Sequence, residues 1–194
     1  MTPRRRSSAE RSAAVFDALR ALLLEHPWGE VTLEAVARDA GVSRQTLYNT
    51  FGSRYGLAQA YTLALADVLC DAIAQTVAAH ADDPRRGLEQ ALLLYLETSD
   101  ADPLIRRVRS GEAHHDLVRI VTTDAGPLLG RVADRLEETV RAAWPHLSPQ
   151  QATTWSRTVA RLAASYVTMP PADDESPAAL AAGLAAVLAP VLAP

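Results

Sequence analysis

Lysine is missing altogether: all nineteen basic residues in the 194-residue chain are arginine. With heavy alanine use, that bias follows from a GC-rich genome and carries no functional signal. Cysteine is nearly missing too. The single Cys70 excludes an internal disulfide and a cysteine-based zinc site, and it reads as a small core residue rather than a redox sensor. Aromatic residues make up only 5 %, so a core must be built from Ala, Leu and Val, which favours helices over strands. No run long and apolar enough for a signal peptide follows the polar start at Met1. The uncharged segment Pro177–Pro194 is broken by Gly183 and Pro190 and falls short of the ~20 strongly apolar residues of a membrane span. The expectation is a soluble, cytoplasmic protein with no membrane association. A Gly-rich phosphate loop and a nucleophile–base spacing are lacking as well, so neither an enzyme nor a cofactor is expected. Glu112, His114, His115 and Asp116 form the one cluster resembling metal ligands. Adjacent histidines point to different helix faces and no Glu-x-x-His frame supports them, so they read as solvated or hydrogen-bonded polar residues, and no metal is expected.

What is present is unevenly charged. Residues 1–60 carry eight Arg against six acids, net +2, and residues 61–194 carry eleven against seventeen, net −6, together the −4 of the whole chain. A basic N-terminal part on an acidic body suits a small reader of nucleic acid on a larger unit that never touches it. Arg4-Arg5-Arg6 has two open readings, a minor-groove or phosphate-contacting arm and a solubilising tail.

Helix punctuation is dense. From Ala9 to Glu25 the apolar residues Val15, Phe16, Leu19, Leu22 and Leu23 recur at helical spacing until Pro27. Thr32 caps a short helix that ends before Gly41, Ser43 caps a second that Gly52 stops, and Ser53 caps a long one running toward His80. Beyond it, breakers recur at helix-length intervals, and Ser148-Pro149-Gln150-Gln151 is a capping box with Pro at the first helical position. An all-α fold of nine to ten helices is expected, with a reader over 1–52 and a helical body over 53–194.

The stretch from Leu33 to Phe51 is two short helices around a sharp turn. Val36, Ala37, Ala40, Leu47 and Phe51 face inward, and Val42 plugs the turn. That leaves Arg44, Gln45, Tyr48 and Asn49 on a face that apolar packing does not need. A short helix with a bare N-terminus and exposed Arg, Gln and Asn suits the DNA major groove, where Arg reads guanine and Gln or Asn reads adenine. Two packed helices with no nucleic-acid role would not require those polar positions.

At this point the chain resembles the TetR (tetracycline-repressor-like) family. The resemblance runs from about Arg11 to Ala66 and rests on Thr32 before the second helix and on Ala-Gly-Val-Ser-x-x-Thr-Leu-Tyr-x-x-Phe-x-Ser-Arg-x-x-Leu. Family members usually carry His where Thr50 stands, Lys at Arg54 and an acid at Tyr55, and a Gly is common at Pro27. The resemblance implies a phosphate-contacting Tyr48, phosphate clamps at Thr32, Ser43, Ser53 and Arg54, and DNA contacts from Arg44, Gln45, Thr46 and Asn49. It also implies a homodimer joined through the last two helices and a small effector that releases DNA.

Two faces of the body answer to those implications. Ala152, Trp155, Val159, Leu162, Ala163 and Tyr166 stripe one late helix, and Leu180, Leu184, Val187 and Leu188 another. They suit a four-helix dimer bundle, although such helices can also close a monomer core. Leu65, Leu69, Ile73, Leu92, Leu96, Leu104, Ile105, Val108, Leu117, Val121, Leu128 and Val132 suit either an apolar effector pocket or ordinary core. The combined expectation is a one-component repressor that binds double-stranded DNA at a near-palindromic operator and is released by a small hydrophobic effector. An effector-independent architectural DNA binder is the alternative.

Overall fold

Ten α-helices and two 3-10 turns, with no strand, account for the secondary structure of residues 7–109, 115–169 and 176–193, the residues that the computed structural model describes. Arg4-Arg5-Arg6, Glu112 and His114 lie outside them. Helix α1 (Ser8–Glu25) starts on a capping box in which Ser7 and Glu10 each accept the other's backbone N–H. It ends just before Pro27, and a 3-10 turn (Trp28–Glu30) leads to α2 (Leu33–Ala40). Thr32, Ser43 and Ser53 cap α2, α3 (Arg44–Phe51) and α4 (Arg54–Ala78) by accepting the N–H of Ala35, Thr46 and Gly56. Gly41 (φ 66°) and Gly52 (φ 72°) close α2 and α3 in positive-φ conformations that a side chain would strain. These starts and stops fall where the punctuation puts them.

The body contains α5 (Pro84–Ala101), α6 (Pro103–Arg109), α7 (His115–Val121), α8 (Gly126–Ala143), α9 (Pro149–Thr168) and α10 (Pro177–Leu188). Asp83, Ser148 and Ser176 cap α5, α9 and α10, each with Pro in the first turn. Asp102, followed by Pro103, caps α6 in the same way, whereas α8 starts at Gly126-Pro127 without a side-chain cap.

Two apolar clusters form the interior, and they do not divide at residue 52. Val15, Leu19, Leu23, Trp28, Val36, Leu47 and Leu57 of the N-terminal helices share one cluster with Leu104, Ile105 and Val108 of α6 and Leu117, Ile120 and Val121 of α7. The second joins the end of α4 to α5, α8, α9 and α10. Helix α4 runs through both, contributing Leu57, Ala58 and Tyr61 to the first and Val77 to the second. Among the described residues it is also the one helix long and apolar enough to cross a membrane by length and composition. Its buried apolar residues serve these two cores, as in a central helix that ties a fold together, whereas Val68 is exposed.

Candidate nucleic-acid interface and effector cavity

The reader is built from its packing outward. Leu47 is 1 % exposed and Val36 fully buried, which fixes the crossing of α3 on α2. Phe51 stacks toward α1, its ring 5.9 Å from that of Phe16. With those positions committed, Arg44, Gln45, Thr46, Tyr48 and Asn49 are all exposed, and Tyr48, a large aromatic, is 61 % exposed. The face is preorganised: Gln45 Nε2 donates to Asn49 Oδ1 at 2.8 Å, and Arg44 is ion-paired with Glu34 of α2. Thr50 returns its hydroxyl to the Thr46 carbonyl at 2.8 Å.

Arg54 stands apart from the other expected DNA-facing residues. Its guanidinium turns inward, donating to the carbonyls of Trp28, Gly29 and Val31 at 3.0, 3.2 and 3.1 Å, and lies 4.9 Å from the centre of the Trp28 ring. The Asp116 carboxylate is 3.8 Å away. Arg54 thus pins the turn between α1 and α2. Asp116 serves this contact, and His115 is exposed on α7. Among the described residues no group of three His, Cys, Asp or Glu could hold a metal ion.

Further polar ties bind the reader to the body. Tyr61 donates to Asp102 Oδ2 at 2.7 Å, while Asp102 Oδ1 accepts the first amides of α6, from Leu104 and Ile105. Asp102 is only 4 % exposed, with Arg20 of α1 4.0 Å away. Burial first, and then this hydrogen bond, pushes the Tyr61 phenol above its ordinary value. Arg107 of α6 donates to the carbonyls of Leu23 and His26 at the end of α1. Tyr55, in the first turn of α4, donates to Asp124 in the turn between α7 and α8.

Behind these ties lies an apolar cavity of about 140 Å³ walled by α4 to α9. Of the expected lining, Leu65, Leu69, Ile73, Leu92, Ile105, Val121, Leu128 and Val132 reach it. Leu104, Val108 and Leu117 are instead buried in the cluster under the reader, and Leu96 in the second cluster. The structure adds a wall absent from the sequence reading, the α9 residues Trp155, Val159, Ala160, Ala163, Ala164 and Val167. Small residues at 160, 163 and 164 leave room, a signal that equally fits close helix packing. No lining side chain carries a charge, and the polar ones are largely satisfied. Thr62 and Thr139 bond to carbonyls one turn back, and Tyr95 donates to the Ala163 carbonyl at 2.5 Å. Burial raises the Tyr95 phenol to about 12 and the Cys70 thiol to about 11.

The stripes expected at a dimer interface split. Ala152, Trp155, Val159 and Leu180 are buried in the chain's own second cluster. Leu162, Ala163, Tyr166, Leu184 and Leu188 are half-buried, and Val187 is 75 % exposed.

A capped pair of short helices presenting a polar face, carried on an all-helical body, defines a helix-turn-helix transcriptional regulator. The chain belongs to the TetR family: it matches the family model described as bacterial regulatory proteins, tetR family, over residues 15–61, and the bacterial tetracyclin repressor C-terminal domain over residues 83–190. It is 42 % identical over 166 residues to the HTH-type transcriptional regulator AlkX of Mycobacterium tuberculosis, a match spanning 86 % of this chain and 79 % of that one. A TetR family repressor AlkX from a Dietzia species, implicated in biodegradation of n-alkanes, superposes with a TM-score of 0.83 at 39 % identity, covering 93 % of this chain and 94 % of that one. A TetR-family regulator from Streptomyces coelicolor shares the fold, with a TM-score of 0.58 at 16 % identity over 98 % and 99 % of the two chains.

Proposed function

We propose that the chain represses transcription by binding a near-palindromic operator as a homodimer, and that a small apolar effector relieves the binding. The observation that carries this reading is the exposed face of α3, where Arg44, Gln45, Tyr48 and Asn49 stand outward while Leu47 is sealed beneath. Arg44 reads guanine, and Gln45 with Asn49 reads adenine. Thr46 and Tyr48 contact the backbone, and the capped N-termini at Thr32, Ser43 and Ser53 receive phosphates. Arg54 contributes by holding the α4 N-terminus in place rather than by a side-chain contact. Two copies place their α3 helices in successive major grooves, ~34–36 Å apart. The half-buried Leu162, Tyr166 and Leu184 and the exposed Val187 join them. The role is regulation of cytoplasmic DNA rather than catalysis.

The uncharged lining of the cavity supports an apolar, uncharged effector, and the Dietzia relative's implication in n-alkane biodegradation supports a hydrocarbon or a close derivative. Such a ligand shifts the DNA-binding equilibrium only through its differential affinity for the two conformations, typically ~1–3 kcal/mol per coupled site.

The test is a gel shift on an operator selected from random duplexes. Affinity should fall steeply as salt rises, and Arg44→Ala and Tyr48→Phe should each weaken binding. Unchanged operator affinity in both variants would defeat the assignment, and binding with little sequence preference would favour an architectural role.

A further inference from the structure

Tyr55, Asp124 and Arg119 form a small cluster that the DNA-reading function does not use. Tyr55 donates to Asp124 Oδ2, and Arg119 Nη2 donates to the same oxygen at 2.6 Å. The Arg119 guanidinium also lies 5.3 Å from the centre of the Tyr55 ring. The turn that carries Asp124 is closed locally, since the Asp124 amide bonds the Arg119 carbonyl at 2.8 Å. The three groups therefore act as one unit, and the hydrogen bond from Tyr55 holds the Asp124 carboxyl below its ordinary value.

Its position gives the cluster a role. Tyr55 is two residues past Ser53, whose hydroxyl caps the α4 N-terminus beside the recognition helix. Asp124 lies between Val121 and Leu128, both of which wall the cavity. Across one hydrogen bond, the wall of the cavity thus meets the turn of α4 that stands at the DNA end of the molecule. The contact is polar and only partly buried, Asp124 and Arg119 being 28 % and 44 % exposed, so water can replace it at modest cost. Packing between apolar cores offers no comparable release.

We infer that the Tyr55–Asp124–Arg119 cluster is a latch that transmits cavity occupancy to the DNA-binding end of α4, with Tyr55 as its positioning residue. This rests on the reading that a ligand in the cavity controls operator binding. When the cavity is filled, Val121 and Leu128 move outward and carry the α7–α8 turn with them. Tyr55 then either follows, turning α4, or lets go. In both cases the first turn of α4 changes its register against α3.

A purely structural tie would lower stability when cut but would leave the response to cavity filling intact. A double-mutant cycle separates the two. Ala164→Leu adds side-chain volume at the cavity wall and needs no knowledge of the natural effector. In the full-length chain with Tyr55 it should change the operator dissociation constant by about tenfold, within the range usual for coupled sites. In the Tyr55→Phe background the change should shrink to about twofold or less, and Asp124→Asn should behave as Tyr55→Phe does. Circular dichroism and thermal unfolding confirm that each variant is folded, and Asp124→Asn supplies the result if Tyr55→Phe is not. An equal change in both backgrounds overturns the latch and leaves effector control standing. No change on filling the cavity with Tyr55 in place overturns both.

Discussion

Gly56 sits against the backbone of Phe51: a β-carbon at position 56 would stand 2.1 Å from the Phe51 carbonyl oxygen. The obstacle is main chain at the end of the recognition helix, so it cannot swing aside. Gly56→Ala should therefore push α3 away from α4, cost about 1–3 kcal/mol as overpacking does, and weaken operator binding. Gly130, exposed in α8 with nothing within 4 Å of where a β-carbon would stand, is the contrast. There an alanine should stabilise by about 0.5–1 kcal/mol through helix propensity. Chemical denaturation of the two variants checks both signs.

Asp102 is a buried carboxylate with three hydrogen-bonded partners, the Tyr61 hydroxyl and two α6 amides. Asp102→Ala should destabilise by about 3–5 kcal/mol, because it leaves those donors unsatisfied and removes a helix cap. Tyr61→Phe removes one bond and should cost about 1–2 kcal/mol. Thermal unfolding in neutral buffer orders the two, and an Asp102→Ala protein as stable as Tyr61→Phe would contradict the node.

Tyr61 and Tyr95 both have phenols raised above their ordinary value, chiefly by burial, Tyr95 to about 12. The folded state thus keeps protons that the unfolded chain releases near pH 10. Their contribution is complete below about pH 10 and is lost as pH rises through the raised values. The unfolding temperature should fall above pH 10, and the fall should be shallower in Tyr61→Phe and Tyr95→Phe. An alkaline limb unchanged in both would remove this explanation.

Arg44 is ion-paired with Glu34 on an exposed surface. The proposed contact of Arg44 with a base requires that pair to break and would leave a carboxylate near DNA phosphates. Glu34→Gln should accordingly tighten operator binding by up to about fivefold, the reach of an exposed pair, and flatten its salt dependence little. A gel shift at two salt concentrations measures it, and weaker binding would mean instead that Glu34 aims Arg44.

Local chemistry was legible in the sequence where one residue decides one event. Thr32, Ser43 and Ser53 cap their helices, Gly41 and Gly52 end theirs, and Leu47 is buried while Tyr48 is not, because each outcome depends on neighbours within a turn or two. The cavity was only half legible. Periodicity marks Leu65 and Leu104 alike as apolar and inward, but which interior each one faces depends on how α6 lies against α1 and α4. The α9 stripe suits a partner chain or the chain's own core, and Trp155 and Val159 turn into the core, since a stripe shows that a face is covered and not by what. Tyr55 with Asp124, Tyr61 with Asp102, and Arg54 with the carbonyls of the α1–α2 turn join residues far apart in the chain. No spacing rule reaches that far.

The sharing of one interior by α1 to α4 with α6 and α7 bears on how operator preferences can be exchanged among relatives. A chimera spliced at residue 52 would graft a helix-turn-helix onto a floor shaped for another sequence, with Leu104, Ile105, Val108 and Leu117 meeting foreign side chains. On the base contacts proposed above, new DNA specificity is reached more safely by changing Arg44, Gln45 and Asn49 on the outer face, or by transplanting the first four helices together with α6 and α7.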